Sequence, residues 1–193
     1  MSAQVHGTQD FDKAKRAEIK FSEEAMKTVQ TIISKYPEGK QKSALLPVLH
    51  VAQAEFGGWL SPEVMDYVAE VLHIKPIEVF EVASFYTMYN LKPVGKCTLE
   101  VCQTSSCWLN GAEDIVRYIE KKLNIKVGET TKDGMFTLKT AECLGSCGTA
   151  PMLQCGASYH ENLTFEKVDA LLEKYKNEGR LRSYTDKDYH NTL

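Results

Sequence analysis

Four of the six cysteines in this sequence form two spaced pairs whose thiols suit metal binding. Cys102 and Cys107 are separated by four residues, and Cys143 and Cys147 are separated by three. Soft thiolates select zinc, copper(I) or iron–sulfur centres. Structural zinc sites usually pair cysteines across two residues, whereas wider loops suit a centre with two irons that each take two thiolates. We therefore favour one 2Fe–2S cluster held by these four cysteines, with a zinc site as the alternative.

Glycines around the second pair strengthen the iron–sulfur interpretation. Gly145 lies between Cys143 and Cys147, and Gly148 follows directly. Glycine adopts positive φ without a steric penalty, so such a loop folds tightly and turns its amides inward. Inward amides favour a negatively charged centre, as metal-bound thiolates are.

The remaining cysteines and the histidines are not assigned as metal ligands. Cys97 and Cys155 each lie in an apolar β segment, and buried free cysteine packs as a small hydrophobic residue. His50 and His73 lie in or beside predicted helices and are interpreted as structural or solvent-facing, and His160, near the end of a hairpin predicted around Gly156, has no partner that the sequence identifies. No catalytic residue is assigned in this chain, since no nucleophile lies in a motif with a histidine or an acid.

Motifs for nucleotide binding are absent from the sequence. It contains no Gly-x-Gly-x-x-Gly after a strand and no phosphate-binding loop ending in Lys-Ser or Lys-Thr. The chain is therefore not expected to bind a nicotinamide or a flavin by itself. A cluster without a substrate site implies an electron relay that requires a partner subunit.

Composition and charge limit the partners. The 193 residues are 43% hydrophobic and 25% charged, with a formal net charge of -3, which is ordinary for a globular protein. We expect no nucleic-acid partner and no direct membrane insertion. The N-terminus has no apolar signal region and carries acidic residues, so we expect a cytoplasmic protein with free cysteines.

Hydrophobic periodicity predicts the elements that carry the cysteines. Four segments before Asn90 have apolar residues at helical spacing, and Pro62 and Pro76 stand at the starts of two of them. After Lys96 the period changes to two, which predicts strand, helix, three strands and a last helix. The predicted organisation has five parts: a polar arm over 1–21, a small four-helix bundle over 22–90, a linker over 91–96, an α/β domain over 97–179, and a polar tail over 180–193.

Several stretches resemble one known family. They are VASFYTMYNLKPVGK at 82–96, Cys102-x4-Cys107, ECLGSCGTAPM at 142–152, and ENLT at 161–164. These closely resemble the small 2Fe–2S subunit of the NADH dehydrogenase module in respiratory complex I, over about 21–175. Two departures from the family pattern, Ser106 and Cys155, leave all four paired cysteines in place.

The resemblance implies a thioredoxin-like 2Fe–2S ferredoxin fold preceded by a helical bundle, with the four matched cysteines as ligands. It also implies a partner flavoprotein that binds NADH and FMN, and exchange of single electrons between that FMN and the cluster. The expected function is electron transfer within NADH:quinone oxidoreductase, on the cytoplasmic face of the inner membrane. The alternatives are the equivalent component of a soluble NAD-linked hydrogenase or formate dehydrogenase, and a zinc-stabilised binding module without redox activity.

Overall fold

The computed structural model of the chain describes residues 19–178. The predicted polar tail lies outside these residues, as does most of the predicted N-terminal arm. No helix within the described range is both long enough and apolar enough to cross a membrane.

The first half of the described chain is helical, and its helices begin where the sequence supplies caps. Ser22 and Ser61 each accept a hydrogen bond from a backbone amide of the first turn, which satisfies a donor that the helix itself leaves unpaired. Four helices follow one another: α1 (Glu23–Ile33), α2 (Leu45–Glu55), α3 (Pro62–Leu72) and α4 (Pro76–Phe85). They share one hydrophobic cluster, whose fully buried members include Val29, Val48, Leu49, Leu60 and Val68.

The aromatic stretch at the end of α4 is mostly exposed. The helix ends at Phe85, so Tyr86 and Met88 lie beyond it. Phe85 is 77% exposed and Phe80 is 47% exposed. Among the aromatic residues of 80–89, Tyr89 is the buried one, and its hydroxyl donates to the carbonyl of Leu46 over 2.8 Å. Much of this aromatic surface is therefore accessible.

A four-stranded mixed sheet forms the second half. Its strands are β1 (Cys97–Cys102), β2 (Phe136–Ala141), β3 (Leu153–Cys155) and β4 (Ser158–His160), in the order β2-β1-β3-β4. β1 runs parallel to β2 and antiparallel to β3, and β3 and β4 form the predicted hairpin around Gly156. Burial alternates along β1 from Cys97 to Val101, as the period of two predicted, and Cys102 at the end of the strand is buried as well.

The helices of this half are α5 (Ser105–Leu109), α6 (Ala112–Leu123) and α7 (Phe165–Glu178). The short helix α5 is a correction, because the hydrophobic periodicity predicted a single helix between the first two strands of this half. Asn110 caps the end of α5 and donates from its side chain to the carbonyl of Ser106 over 2.8 Å. Gly111, with φ of 88°, then turns the chain into α6, a conformation that glycine adopts at little cost.

Candidate metal centre

The first cysteine pair lies at the end of the central strand β1. Cys102 is the last residue of β1, opposite Ala141 of β2, and its amide donates to the carbonyl of Met152 over 3.2 Å. Helix α5 begins at Ser105, three residues after Cys102, and contains Cys107. Both thiols are buried, at 3% and 2% exposed. The strand end and the following helix therefore direct this pair into the protein.

The two thiols of the first pair contact each other. Burial, together with a hydrogen bond between the two thiols, raises the pKa of the Cys107 thiol to about 11. Burial acts in this direction because it disfavours the charged thiolate. The Cys102 sulfur also lies 3.9 Å from the carbonyl oxygen of Glu142, the residue before Cys143. The first pair thus adjoins the loop that carries the second pair.

The second pair lies in the loop that follows β2. Cys143 and Cys147 are both exposed, and Cys147 begins a short 3-10 turn that ends at Thr149. Gly145 between them has φ of 79°, as the tight-loop prediction required. The Tyr159 hydroxyl donates to the carbonyl of Leu144 over 2.8 Å, which ties the loop to the β3–β4 hairpin.

The loops bring the predicted ligands to one end of the sheet without forming a closed set. The Cys147 thiol is close enough to Cys107 for its charge to contribute to the raised pKa of Cys107. Within residues 19–178, however, no three His, Cys, Asp or Glu side chains converge tightly enough to hold a metal ion as they stand. Ligation by all four thiols therefore requires the exposed Cys143 and Cys147 to turn toward the buried pair.

The donor chemistry at this end of the sheet fits a 2Fe–2S cluster. Two buried thiols already in contact provide one half of a four-thiol set, and a glycine-bearing loop beside them provides the other half. A cationic iron centre would favour the thiolate forms that burial alone disfavours. The residues that would hold the group are Cys102, Cys107, Cys143 and Cys147.

Cys97 and Cys155 lie in the core, as predicted. Each is 0% exposed and belongs to the hydrophobic cluster around the sheet. Their thiols contact each other, and that contact and burial raise the pKa of Cys155. His160, which had no partner that the sequence could identify, lies 2.9 Å from the Tyr175 hydroxyl through its Nε2 atom. None of these residues belongs to the two cysteine loops.

Exposed apolar residues beside the first pair were not predicted from the sequence. Trp108 is 59% exposed and Leu109 is 75% exposed, directly after the buried Cys107. Exposed large apolar side chains that adjoin one another are typical of contact surfaces. Their position next to a predicted ligand was visible in the sequence, but their exposure depends on the short helix α5, which the periodicity did not predict.

Comparison with known proteins identifies relatives over most of the chain. Residues 29–176 match the family of thioredoxin-like 2Fe-2S ferredoxins. The E subunit of NADH-quinone oxidoreductase from Rickettsia felis is 46% identical over 158 residues, which cover 82% of this chain and 95% of that protein. The mitochondrial NADH dehydrogenase (ubiquinone) flavoprotein 2 of Dictyostelium discoideum is 43% identical over 157 residues, covering 81% of this chain and 64% of that protein.

Solved structures share the fold. A chain of an air-oxidised NAD+-reducing NiFe-hydrogenase superposes with a TM-score of 0.62 at 20% identity, over 74% of this chain and 24% of that chain. The present chain thus spans about a quarter of the hydrogenase chain, and at this identity the likeness concerns the fold alone. The family match, the identity to the NADH-quinone oxidoreductase relatives and the cysteine loops at the end of a mixed sheet together show that this chain belongs to the thioredoxin-like 2Fe-2S ferredoxin family.

Proposed function

We propose that this chain is an electron-transfer subunit that holds one 2Fe–2S cluster through Cys102, Cys107, Cys143 and Cys147. The main support for the proposal is the position of Cys102 and Cys107. Their buried thiols contact each other and lie beside the Cys143–Cys147 loop at one end of the sheet. A bound 2Fe–2S cluster accepts and donates single electrons. The chain's own contribution is to supply the thiolates, to bury one side of the site and to fix the loops.

We propose that the chain works within an NADH-oxidising oxidoreductase, because its relatives are subunits of NADH-quinone oxidoreductase. The partner in this proposal is a flavoprotein that binds NADH and FMN. The exposed Trp108 and Leu109 beside Cys107 support a protein contact there, since apolar surface next to the site would be covered by such a partner. A cytoplasmic position, peripheral to the inner membrane after assembly, belongs to the same proposal.

The division of the chain is also part of the proposal. In this proposal the helices before Asn90 are a bundle, and the residues from Cys97 to the end of α7 are the cluster domain. The presence of a separate hydrophobic cluster in each part supports this division. Residues 91–96 join them. We propose that the bundle supports partner contact through its exposed aromatic residues Phe80 and Phe85.

The test is to purify the full chain without air and to assay iron, sulfide and zinc together with visible and electron paramagnetic resonance (EPR) spectra. We expect about two irons and two sulfides per chain and an absorption that bleaches with dithionite. Cys107→Ser and Cys147→Ser should each lose most of the cluster. Cys155→Ala, a cysteine replacement in the same domain, should keep it.

Two results would contradict the proposal. Zinc without sulfide in the wild-type chain would favour the structural zinc alternative. Full retention of iron and sulfide in Cys107→Ser and Cys147→Ser would show that other residues hold the metal.

A further inference from the structure

Glu161 lies directly beside the second cysteine loop although it belongs to another segment. It follows β4 and precedes α7. Its Oε1 atom accepts hydrogen bonds from the hydroxyls of Ser146 and Thr149, the second over 2.6 Å. These two residues flank Cys147, so one carboxylate oxygen holds both sides of a proposed ligand.

The backbone of the same segment fixes this carboxylate relative to the loop. The Asn162 amide donates to the carbonyl of Thr149 over 2.7 Å, and the Leu163 amide donates to the carbonyl of Pro151 over 2.9 Å. The Lys167 ammonium group donates to the carbonyl of Asn162 over 2.9 Å. The next two residues therefore hold Glu161 at the loop, and a cation at the start of α7 fixes their segment.

The contacts keep a negative charge near the site. Hydrogen bonds from the two hydroxyls lower the pKa of Glu161, because they stabilise the ionised form. A negative charge close to a redox centre opposes the addition of an electron. The same carboxylate also engages hydroxyls that would otherwise be available as donors to the ligand sulfurs, and such donors raise a reduction potential.

We propose that Glu161 is a positioning residue that holds the Cys143–Cys147 loop and keeps the reduction potential of the bound cluster low. The inference rests on the proposed function, because it assigns a role toward the cluster of that site. The carboxylate that bridges Ser146 and Thr149 both holds the loop and lowers the reduction potential.

The decisive experiment is an EPR-monitored redox titration of the full chain with its cluster, comparing the wild type with Glu161→Gln. Glutamine keeps the size and a hydrogen-bond acceptor but removes the charge. At a fixed solution potential we expect the ratio of reduced to oxidised cluster to rise about threefold, which corresponds to about 30 mV since tenfold is 59 mV for one electron. Because Glu161 is exposed, the rise should shrink at high salt.

Two matched variants separate this effect from a general change in charge. Glu161→Asp keeps the negative charge, one methylene closer to the backbone, and should bring the ratio to within about twofold of wild type, which is less than about 20 mV by the same conversion. Glu173→Gln removes one charge from an exposed position of α7 and should leave the ratio unchanged.

A cluster-independent measurement covers the case in which Glu161→Gln does not retain iron. Hydrogen exchange at the Thr149 amide, which donates to the carbonyl of Ser146 over 3.2 Å, should be faster in cluster-free Glu161→Ala than in the cluster-free wild type. Unchanged exchange would overturn the positioning role.

The outcomes distinguish this inference from the proposed function. A wild-type chain that contains the cluster, together with an unchanged potential in Glu161→Gln, would overturn the role of Glu161 and leave the electron-transfer function standing. A wild-type chain without iron and sulfide would overturn both.

Discussion

At the scale of single residues, the six cysteines occupy three environments. Cys97 and Cys155 are completely buried, Cys102 and Cys107 are buried at the end of β1, and Cys143 with Cys147 is exposed. Burial excludes reagents from a thiol, while exposure leaves the sulfur accessible to them. The same functional group therefore serves packing in one place and proposed metal binding in another.

These environments predict different thiol reactivities in the chain after its metal has been removed. Iodoacetamide should modify Cys143 and Cys147 first, because both are exposed. Cys97 and Cys155 should react at least about a hundredfold more slowly, since their reaction requires the domain to open and stable cores open rarely. Peptide mass spectrometry at a series of times measures each rate.

The denatured chain is the control for thiol reactivity, since all six cysteines should then react at similar rates. Rapid modification of Cys97 in the folded chain would contradict its assignment to the core.

At the scale of elements, one glycine allows the segment before β1 to meet β2. The Gly95 amide donates to the Thr137 hydroxyl over 2.6 Å. A Cβ atom at Gly95 would lie 2.9 Å from backbone atoms of Met135 and Phe136. Backbone atoms on a strand cannot move aside as the end of a flexible side chain can. The approach of Gly95 to β2 therefore depends on the absence of a side chain.

Gly95→Ala should destabilise the protein by about 1–3 kcal/mol, because the added methyl group forces backbone shifts in a packed region. The free energy of unfolding in urea, followed by circular dichroism, measures the change. Gly148→Ala is the matched control, since a Cβ atom at Gly148 meets nothing within 4 Å. Equal stability of the Gly95→Ala variant and the wild type would show that the close approach costs nothing.

At the scale of the whole molecule, Lys139 connects the helical half to the sheet. Its ammonium group donates to the carbonyl of Thr87 over 3.0 Å and to the Asn90 side-chain oxygen over 3.1 Å, and it lies 3.1 Å from the Glu100 carboxylate. Its side chain is 22% exposed. Asn90 in turn donates to the carbonyl of Gly58 over 2.9 Å. A polar network therefore joins two hydrophobic clusters.

Lys139→Met should lower the free energy of unfolding by about 1–3 kcal/mol, because it leaves partly buried acceptors without their donor. It should also speed proteolytic cleavage within 91–96, since the two halves would separate more often. Denaturant unfolding and limited proteolysis with mapped cleavage sites measure these effects.

Lys132→Met is the control for Lys139→Met, because Lys132 is an exposed lysine near β2 and its replacement should change stability by less than about 0.5 kcal/mol. If both variants behave alike, the network does not couple the halves.

Local patterns in the sequence account for the individual elements and for the chemical character of the site. Helix starts at Ser22 and Ser61, the alternation along β1 and the turn at Gly145 all follow from interactions between near neighbours in the chain. The spacing of the two cysteine pairs likewise favours iron–sulfur over zinc, and the resemblance to the family implies the same fold.

Packing between complete elements decides which residues meet and which stay exposed. The contact between Cys102 and Cys107 depends on α5, whose five residues are too short to show a periodicity. The approach of Glu161 to Ser146 joins residues 15 positions apart in sequence. The link from Lys139 to Asn90 spans 49 positions. Such contacts arise only when whole helices and strands come together, and local patterns along a single sequence do not contain that information.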